Sequence, residues 1–177
     1  MNHVIQEEKQ KGKVILVRQS RDIDACDALI IPGGESTTIS RILINSGMYD
    51  TILRRIKQDN IALMGTCAGC VILAKKLTDN KADVRLLQAI DMQIERNAYG
   101  RQKESFEKSI AIKGFTTPYN AVFIRAPIIK KTWGTCEVIA KVGKEIVMAR
   151  QNNYLALSFH PELTNDLRIH RYFLEML

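Results

Sequence analysis

Short apolar runs alternate with helix-like segments in the first half of the chain. Residues 14–17, Ala28–Ile31 and residues 61–64 are apolar and are bounded by polar or turn-forming residues. Such runs are typical of strands that are buried on both faces of a sheet. Residues 4–11, which precede them, are rich in charge and predict an exposed helix.

The segments between these strands carry apolar residues at helical spacing. Ser36 or Thr37 can cap a helix that Gly47 is suited to end. Residues 52–56 predict a second helix, and residues 71–74 begin a third one, after the strand at 61–64. Strands that alternate with helices indicate a parallel α/β sheet.

The second half of the chain changes to short strands separated by turn residues. A final helix is expected over residues 165–176, with Leu167, Tyr172, Phe173 and Leu174 in the core. The predicted strands are residues 92–95, 110–112, 121–124, 137–141, 146–149 and 155–159. The first half therefore predicts a parallel α/β sheet, and the second half adds several short strands and a closing helix.

The composition bounds the class of protein. The chain has 177 residues, which we interpret as one domain over residues 1–177, and its 46% hydrophobic and 25% charged residues are ordinary for a globular protein. No apolar run approaches the ~20 residues that span a bilayer, and from the opening residues we expect no signal peptide. The four cysteines lack the spacing of a disulfide framework, which favours the reducing cytoplasm.

The net charge of +7 raises the question of nucleic-acid binding. The positive residues are scattered in pairs such as Arg54 and Arg55, and aromatic residues make up only 6% of the chain. A nucleic-acid platform interleaves basic with aromatic residues. We therefore expect no nucleic-acid partner and no membrane association, and a basic surface that is solvated or faces an acidic protein.

The most specific local pattern is Gly-Thr-Cys-Ala-Gly at residues 65–69. It lies between a predicted strand and a predicted helix, which is the arrangement of a nucleophile elbow with cysteine in place of serine. Small flanking residues permit the sharp turn that holds such a side chain at the top of a sheet. The pattern predicts a cysteine-nucleophile enzyme centred on Cys67.

Other interpretations of the same residues stay open at this point. Cys67 and Cys70 have the C-x-x-C spacing of a redox dithiol or of half a zinc site. There is no second C-x-x-C, and Cys26 and Cys136 are isolated, whereas a structural zinc site needs four ligands. Cys67 could also be a small buried residue in a tight strand–helix turn.

A cysteine nucleophile needs a base and a group that orients the base. His160 follows the last predicted strand, and Glu162 can fold back to accept its Nδ1–H. His3 lies in the charged start of the chain, and we expect His170, on the final helix, to face solvent. The alternative is that His160 only ends a strand and that Glu162 is a charge at the start of a helix.

Three predicted strands end in segments with candidate chemistry. These ends are the Pro32-Gly33-Gly34 loop, the Cys67 turn and the segment after Phe159. Ligands of open α/β sheets bind beyond the carboxyl ends of the strands. We therefore expect the three ends to meet at one place.

Gly-x-Cys-x-Gly followed by His-Pro-Glu resembles the signature of class I glutamine amidotransferases. More narrowly, the chain looks like the glutaminase subunits of pyridoxal 5′-phosphate synthase. The motifs that carry this resemblance are Pro-Gly-Gly-Glu-Ser-Thr-Thr at 32–38, Gly-Thr-Cys-Ala-Gly at 65–69, Arg-Asn-Ala-Tyr-Gly-Arg-Gln at 96–102, Ser-Phe-Glu at 105–107, Phe-Ile-Arg-Ala-Pro at 123–127 and Ser-Phe-His-Pro-Glu-Leu-Thr at 158–164. They extend over most of the chain. The resemblance implies the flavodoxin-like fold of that family, which is a three-layer α/β fold around a mixed, mostly parallel central sheet.

The resemblance implies hydrolysis of L-glutamine to glutamate and ammonia by a triad of Cys67, His160 and Glu162. In this chemistry the Cys67 thiolate attacks the carboxamide, and His160 gives a proton to the leaving ammonia. Water then hydrolyses the thioester with His160 as base, while Glu162 orients the imidazolium. No cofactor and no metal are implied.

The resemblance also implies which residues surround the substrate. Backbone N–H groups of Gly33, Gly34 and Ala68 would form the oxyanion hole. An arginine suits the α-carboxylate because its fork can bond both oxygens, although taken alone the two arginines would be interpreted as surface charges. The residues implied to bind glutamine are Gly34, Glu35, Ser36, Arg96, Ile124 and Arg125.

Ammonia is lost to water unless a partner takes it up. The resemblance therefore implies a hetero-oligomer with the synthase core subunit, which combines ammonia with a pentose phosphate and a triose phosphate to make pyridoxal 5′-phosphate. It also implies a central first strand, ended by a Leu-Gln-Gly-like turn, before the first helix. The sequence shows no such segment, so we expect that strand to be missing, with a start codon upstream or a shortened protein.

Three alternative functions stay open. The protein could be a docking-only amidotransferase homologue that the missing strand disables, or a redox protein that uses Cys67 and Cys70. It could also be an amidotransferase that serves another synthase, although the motifs containing Arg96 and Arg125 argue against this.

Overall fold

The computed structural model describes residues 1–7, 12–78, 83–96, 98 and 105–177. The helices in these residues are α1 (Asn2–Glu7), α2 (Ser20–Asp24), α3 (Ser36–Asn45), α4 (Met48–Lys57), α5 (Ala68–Leu73) and α6 (Arg168–Leu174), with a 3-10 turn at Pro161–Leu163. The strands are β1 (Ala28–Ile31), β2 (Ala62–Thr66), β3 (Ala74–Leu77), β4 (Ile90–Glu95), β5 (Ser105–Ile110), β6 (Tyr119–Ile124), β7 (Ile128–Thr132), β8 (Glu137–Val142), β9 (Glu145–Gln151) and β10 (Tyr154–Leu157). No helix among the described residues is long and apolar enough to cross a membrane.

Eight of the described strands form one mixed sheet, in the order β1-β2-β10-β9-β7-β4-β3, with β8 paired to β9. β1, β2 and β10 are parallel, and so are β3 and β4, while antiparallel β9 and β7 connect the two groups. Ile31 pairs with Gly65, and Leu157 pairs with Thr66. The carboxyl ends of β1, β2 and β10 therefore meet at one edge of the sheet, as the sequence predicts.

Each face of the sheet is covered by its own apolar layer. All residues of β2 are buried, and they alternate between the layers, as expected of a strand that is covered on both faces. Leu63 packs with helices α2 to α5, whereas Met64 packs with α6 and with the separate antiparallel hairpin of β5 and β6. This layering confirms the predicted fold class.

The strand predicted at residues 14–17 is wrong. The segment has no strand pairing, and Leu16 is 79% exposed. β1 is the terminal strand of the sheet, and β2 is its one partner among the described strands. An apolar run becomes a strand only where a neighbour satisfies its backbone hydrogen bonds, and in the described structure no strand lies beside residues 14–17.

Two predictions near the start of the chain need correction. The helix expected over residues 4–11 is α1, and Val4 within it is fully buried rather than exposed. Residues 8–11 lie outside the described residues. Helix α3 is capped by Glu35 rather than by Ser36 or Thr37. Gly47 follows the C-cap Ser46 with a left-handed φ of 72°, so it ends α3 as predicted, and it also precedes α4.

The sequence patterns also missed or misplaced several elements. β3 begins at Ala74, where a helix was predicted to continue, and α2 and β7 were not predicted. β7 was hidden because its two buried residues are followed by the exposed pair Lys130 and Lys131. The strand expected at 110–112 is the end of β5 plus an isolated bridge at Ile112, and the final helix is shorter than predicted.

Candidate active site

Cys67 occupies a strained turn between β2 and α5. Its φ of 50° and ψ of −108° lie in a region that non-glycine residues rarely adopt. A Cβ on Gly65 would lie 2.5 Å from the Gly69 carbonyl oxygen, and a Cβ on Gly69 would lie 1.9 Å from the Ile31 carbonyl oxygen. Both positions therefore require glycine. The geometry is that of a nucleophile elbow.

His160 follows β10 and forms a pair with Glu162. Its Nδ1–H donates to Oε1 of Glu162 at 2.7 Å, because an ionised carboxylate can only accept. Its backbone N–H donates to the Val122 carbonyl at 2.8 Å, which fixes the residue against β6. The Glu162 bond fixes the tautomer and leaves Nε2, which is buried, as the second functional nitrogen.

Electrostatic interactions couple Cys67, His160 and Glu162. The Cys67 thiol acts most strongly, followed by the hydrogen bond to Glu162, and together they raise the pKa of His160 to about 9 in spite of burial. Burial raises the pKa of Glu162, but the hydrogen bond from His160 and its charge outweigh this, so the net pKa is lowered. No well-aligned hydrogen bond joins Nε2 to the thiol, so the coupling reflects proximity.

Gly33 brings the third strand end to the same place. A Cβ on Gly33 would lie 2.5 Å from Cε1 of His160 and 3.4 Å from Cβ of Cys67. A side chain at this position would displace the imidazole. The loop after β1, the elbow after β2 and the segment after β10 therefore meet, as the sequence predicts.

A cavity of about 420 Å³ opens at the elbow. This volume lies in the range of small-molecule sites. The cavity brings together Cys67, His160, Ala68 and every residue predicted to bind the substrate, whereas Glu162 lies behind His160. The lining residues are Gly34, Glu35, Ser36, Cys67, Ala68, Val71, Arg96, Ile124, Arg125, Pro127 and His160.

The polar side chains of the wall are already ordered. Nη1 of Arg96 donates to Oγ of Ser36 at 3.3 Å. The Glu35 carboxylate caps α3 by accepting from the backbone N–H of Thr37 at 3.0 Å and from that of Thr38 at 2.7 Å. Hydrogen bonds from both threonines, led by the Thr37 hydroxyl, lower the pKa of Glu35 to about 2. Glu35 is therefore an ionised helix cap that also borders the cavity.

The sequence matches the profile of the SNO glutamine amidotransferase family over residues 1–177. The chain belongs to this family. Several curated relatives carry the name pyridoxal 5′-phosphate synthase subunit PdxT. The one from Methanocella arvoryzae is 46% identical over 169 residues, which cover 94% of this chain and 85% of the relative. The one from Thermosipho africanus is 45% identical over 175 residues, which cover 99% of this chain and 92% of the relative.

Solved structures agree with membership of the SNO glutamine amidotransferase family. A crystal structure of a glutamine amidotransferase has a TM-score of 0.89 and 40% identity, and the match covers 99% of this chain and 90% of that one. A glutamine amidotransferase from Thermotoga maritima has a TM-score of 0.59 at 12% identity, over 98% of this chain and 74% of that one. The second likeness indicates a shared fold alone.

Within this member of the glutamine amidotransferase family, Cys70 is unsuited to redox chemistry. It is fully buried, and burial raises its pKa well above the usual range. Thiols in such surroundings are inert. Cys67 and Cys70 are both free, and Cys70 packs as a small apolar residue in the layer of helices α2 to α5.

Sequence reasoning missed two residues of the cavity wall and misplaced one histidine. Val71 lies one helical turn after Cys67, and this spacing was the available signal; Pro127 closes the motif that contains Arg125. His170 is 8% exposed rather than solvent-facing, because it lies beside Ile169 on the inner face of α6. Residues 97 and 99–102 of the third motif lie outside the described residues.

Proposed function

We propose that this protein hydrolyses L-glutamine to glutamate and ammonia and passes the ammonia to a pyridoxal 5′-phosphate synthase core subunit. The observation that carries the proposal is the convergence of Cys67 and His160 on one cavity, with Glu162 bonded behind His160 at 2.7 Å. Membership of the glutamine amidotransferase family supports the reaction, and the names of the relatives support the synthase.

The proposed reaction begins with the thiolate of Cys67. It attacks the carboxamide carbon of glutamine, and a carbon–sulfur bond forms as the carbonyl becomes an oxyanion. The oxyanion then collapses and the carbon–nitrogen bond breaks, while the imidazolium of His160 gives its Nε2 proton to the leaving ammonia. The raised pKa of His160 supports an imidazolium at neutral pH.

The same groups hydrolyse the thioester in the second half of the reaction, with His160 now acting as a base instead of an acid. Neutral His160 removes a proton from water, the hydroxide attacks the thioester, and glutamate leaves as the thiolate re-forms. Glu162 accepts from Nδ1 throughout and stabilises the imidazolium each time it appears.

Backbone N–H groups are the proposed donors to the oxyanion. The N–H of Cys67 is committed to the Leu157 carbonyl at 2.8 Å. The N–H of Ala68, at the start of α5, is the next donor along the elbow, and the Gly33 and Gly34 loop borders the same space. Removal of one such donor typically costs ~10²–10³ in rate.

The cavity wall offers charges for the two ends of the amino acid. Arg96, oriented by Ser36, is the proposed partner of the α-carboxylate, and Arg125 is a second cation on the wall. The ionised carboxylate of Glu35 offers the opposite charge for the α-ammonium group. Gly34 and Ile124 would contact the substrate through their backbone and side-chain surfaces.

We place the protein in the cytoplasm, which its four free cysteines support.

Glutamate release tests the proposal. The full chain is assayed with glutamine, with and without a pyridoxal 5′-phosphate synthase core subunit. Cys67→Ala serves as the knockout, and Cys70→Ala as the matched cysteine control. Glutamate that appears with the partner, vanishes in Cys67→Ala and persists in Cys70→Ala is the expected result. A folded chain that binds the partner but never releases glutamate would instead support the docking-only alternative.

A further inference from the structure

The turn that carries Glu162 has little structure of its own. It is a 3-10 turn of three residues, and its internal backbone bonds are the Leu163 N–H to the His160 carbonyl at 3.2 Å and the Thr164 N–H to the Pro161 carbonyl at 3.4 Å. The Glu162 side chain is 46% exposed, so packing does not hold its carboxylate against His160. The position of the carboxylate therefore depends on what anchors the turn from outside.

Thr164 is the anchor point at the end of this turn. Its hydroxyl donates to the Pro161 carbonyl at 3.3 Å and accepts from the Asp166 N–H at 3.3 Å. The hydroxyl of Tyr119 lies 3.0 Å from the same oxygen. Either hydroxyl can donate in this third bond, because the Asp166 carbonyl lies 3.5 Å from both hydroxyl oxygens and is a further acceptor for each. The bond joins the two side chains whichever hydroxyl donates.

Tyr119 is built into the core of the hairpin that faces the site. It is fully buried, and its ring centroid lies 5.8 Å from that of Phe159. Burial raises the pKa of Tyr119, so its hydroxyl keeps its proton. Further along β6, the Val122 carbonyl accepts from the His160 N–H at 2.8 Å, and the Ile124 carbonyl lies 3.7 Å from the Cys67 sulfur. One strand thus contacts the nucleophile, the base and the turn beyond the base.

Arg168 forms a second connection between the same two parts. Its Nη1 and Nη2 donate to the carbonyls of Thr117 and Pro118, just before β6, at 2.8 Å and 2.9 Å. Nη2 also pairs with Asp166 at 2.6 Å. This ion pair is about one-third exposed, whereas the Tyr119 residue is fully buried, so the bond from Tyr119 is the stricter constraint.

We propose that Tyr119 is a positioning residue for the glutaminase reaction: its hydroxyl holds Thr164, and through Thr164 the turn that presents Glu162 to His160. The inference rests on the proposed function. Without this bond the turn drifts, the Glu162 carboxylate moves away from Nδ1, and the imidazolium loses part of its stabilisation. Tyr119 does not line the cavity, so its loss acts on the chemical step rather than on substrate binding.

Kinetics and a histidine titration test the proposal together. Tyr119→Phe removes only the hydroxyl, and we expect kcat to fall about tenfold with KM unchanged, since a misplacement of 1 Å costs up to ~10²-fold. The pKa of His160, followed by NMR of its ring proton in the full chain, should fall from its value of about 9. Thr164→Val should have the same effects, Thr164→Ser should restore both, and the double variant should be no worse than either single one.

Tyr49→Phe is the matched control. Tyr49 is also buried, and its hydroxyl donates to the Leu86 carbonyl at 2.8 Å, on the layer away from the hairpin. It should lose stability as Tyr119→Phe does but keep kcat and the His160 pKa. The proposal is overturned if kcat and the His160 pKa stay unchanged in Tyr119→Phe, if only kcat falls, or if Tyr49→Phe changes them equally.

Two further comparisons cover the cases in which a variant does not fold or the proposed function fails. If Tyr119→Phe does not fold, the comparison of Thr164→Val with Thr164→Ser takes its place. If Cys67→Ala still releases glutamate, the proposed function fails, and the His160 titration continues to test the positioning role, because it requires no catalysis.

Discussion

The two halves of the site, the elbow at Cys67 and the turn with His160 and Glu162, are held by different forces. The elbow is fixed by close packing: every residue of α5 is buried, and Gly65 and Gly69 contact backbone atoms with no room for a side chain. The turn is fixed by hydrogen bonds, and Glu162 remains 46% exposed. Close packing allows one arrangement, whereas a hydrogen-bonded turn can shift by small amounts. Substitutions of the elbow glycines should therefore affect mainly folding, and substitutions of Glu162 should affect mainly rate.

We expect the largest loss of folding stability from a substitution of Gly69. A Cβ there would lie 1.9 Å from the Ile31 carbonyl oxygen, so β1 or α5 must move in Gly69→Ala. We expect a loss above about 4 kcal/mol in the free energy of unfolding, in the exceptional range for one substitution. Urea denaturation measures it. Gly143→Ala is the control, because Gly143 has φ of 60° and open space around it; strain alone should cost about 1–2 kcal/mol. Equal losses in the two variants would refute the packing argument.

The second largest effect is expected on the rate of glutamate release, when Glu162 in the turn after β10 is replaced. Glu162→Gln keeps the size of the side chain but removes the charge that supports His160. We expect kcat to fall by roughly 10²–10⁴-fold, as when the orienting carboxylate of a triad is replaced. The free energy of unfolding should change by only about 1 kcal/mol. Glutamate release and denaturation of the same preparation measure both. An unchanged kcat would show that Glu162 does not orient His160.

The same contrast explains what the sequence could predict. The elbow can be predicted from the sequence because its glycines, its cysteine and the two flanking apolar runs are consecutive. Local sequence alone specifies the close backbone packing at this turn. The network of Tyr119 and Thr164 joins residues 45 positions apart, and nothing in either neighbourhood indicates the other. His170 was misjudged because its charged neighbours Arg168 and Arg171 suggested an exposed face, although Ile169 and Phe173 mark a buried one.

Strand pairing explains in the same way which strand predictions are right and which are wrong. Residues 14–17 have the apolar pattern of a strand and are not one, whereas β7 lacks the pattern and is a strand. β7 is paired on both sides, by β4 and β9, while no described strand lies beside residues 14–17. The apolar pattern of a segment indicates whether its side chains would be buried. Whether the segment forms a strand also depends on a neighbouring strand that can pair with it, which its own sequence does not show.

A pH dependence of stability should separate the turn from the elbow further. The pKa of His160 is raised from 6.5 to about 9 in the folded protein. A raised folded-state pKa gives stability that is complete below pH 6.5 and is lost as the pH rises through about 9. Denaturation between these pH values should show this decline, and His160→Gln should flatten it. A decline that persists in His160→Gln would assign the effect to other groups.

The smallest effect is expected at Cys70, three residues after the proposed nucleophile Cys67 on the packed side of the site. The thiol is fully buried, and its raised pKa keeps it protonated, so alanine replaces it as one small apolar group replaces another. Cys70→Ala should cost about 1 kcal/mol, the price of removing one buried methyl-sized group. Glutamate release should be unchanged, and alkylation of Cys67 by iodoacetamide should keep its rate. Because a dithiol mechanism needs both sulfurs, loss of activity in Cys70→Ala would point to redox chemistry. Full activity beside an inactive Cys67→Ala leaves Cys67 as the one reacting thiol, with Cys70 as its packing support.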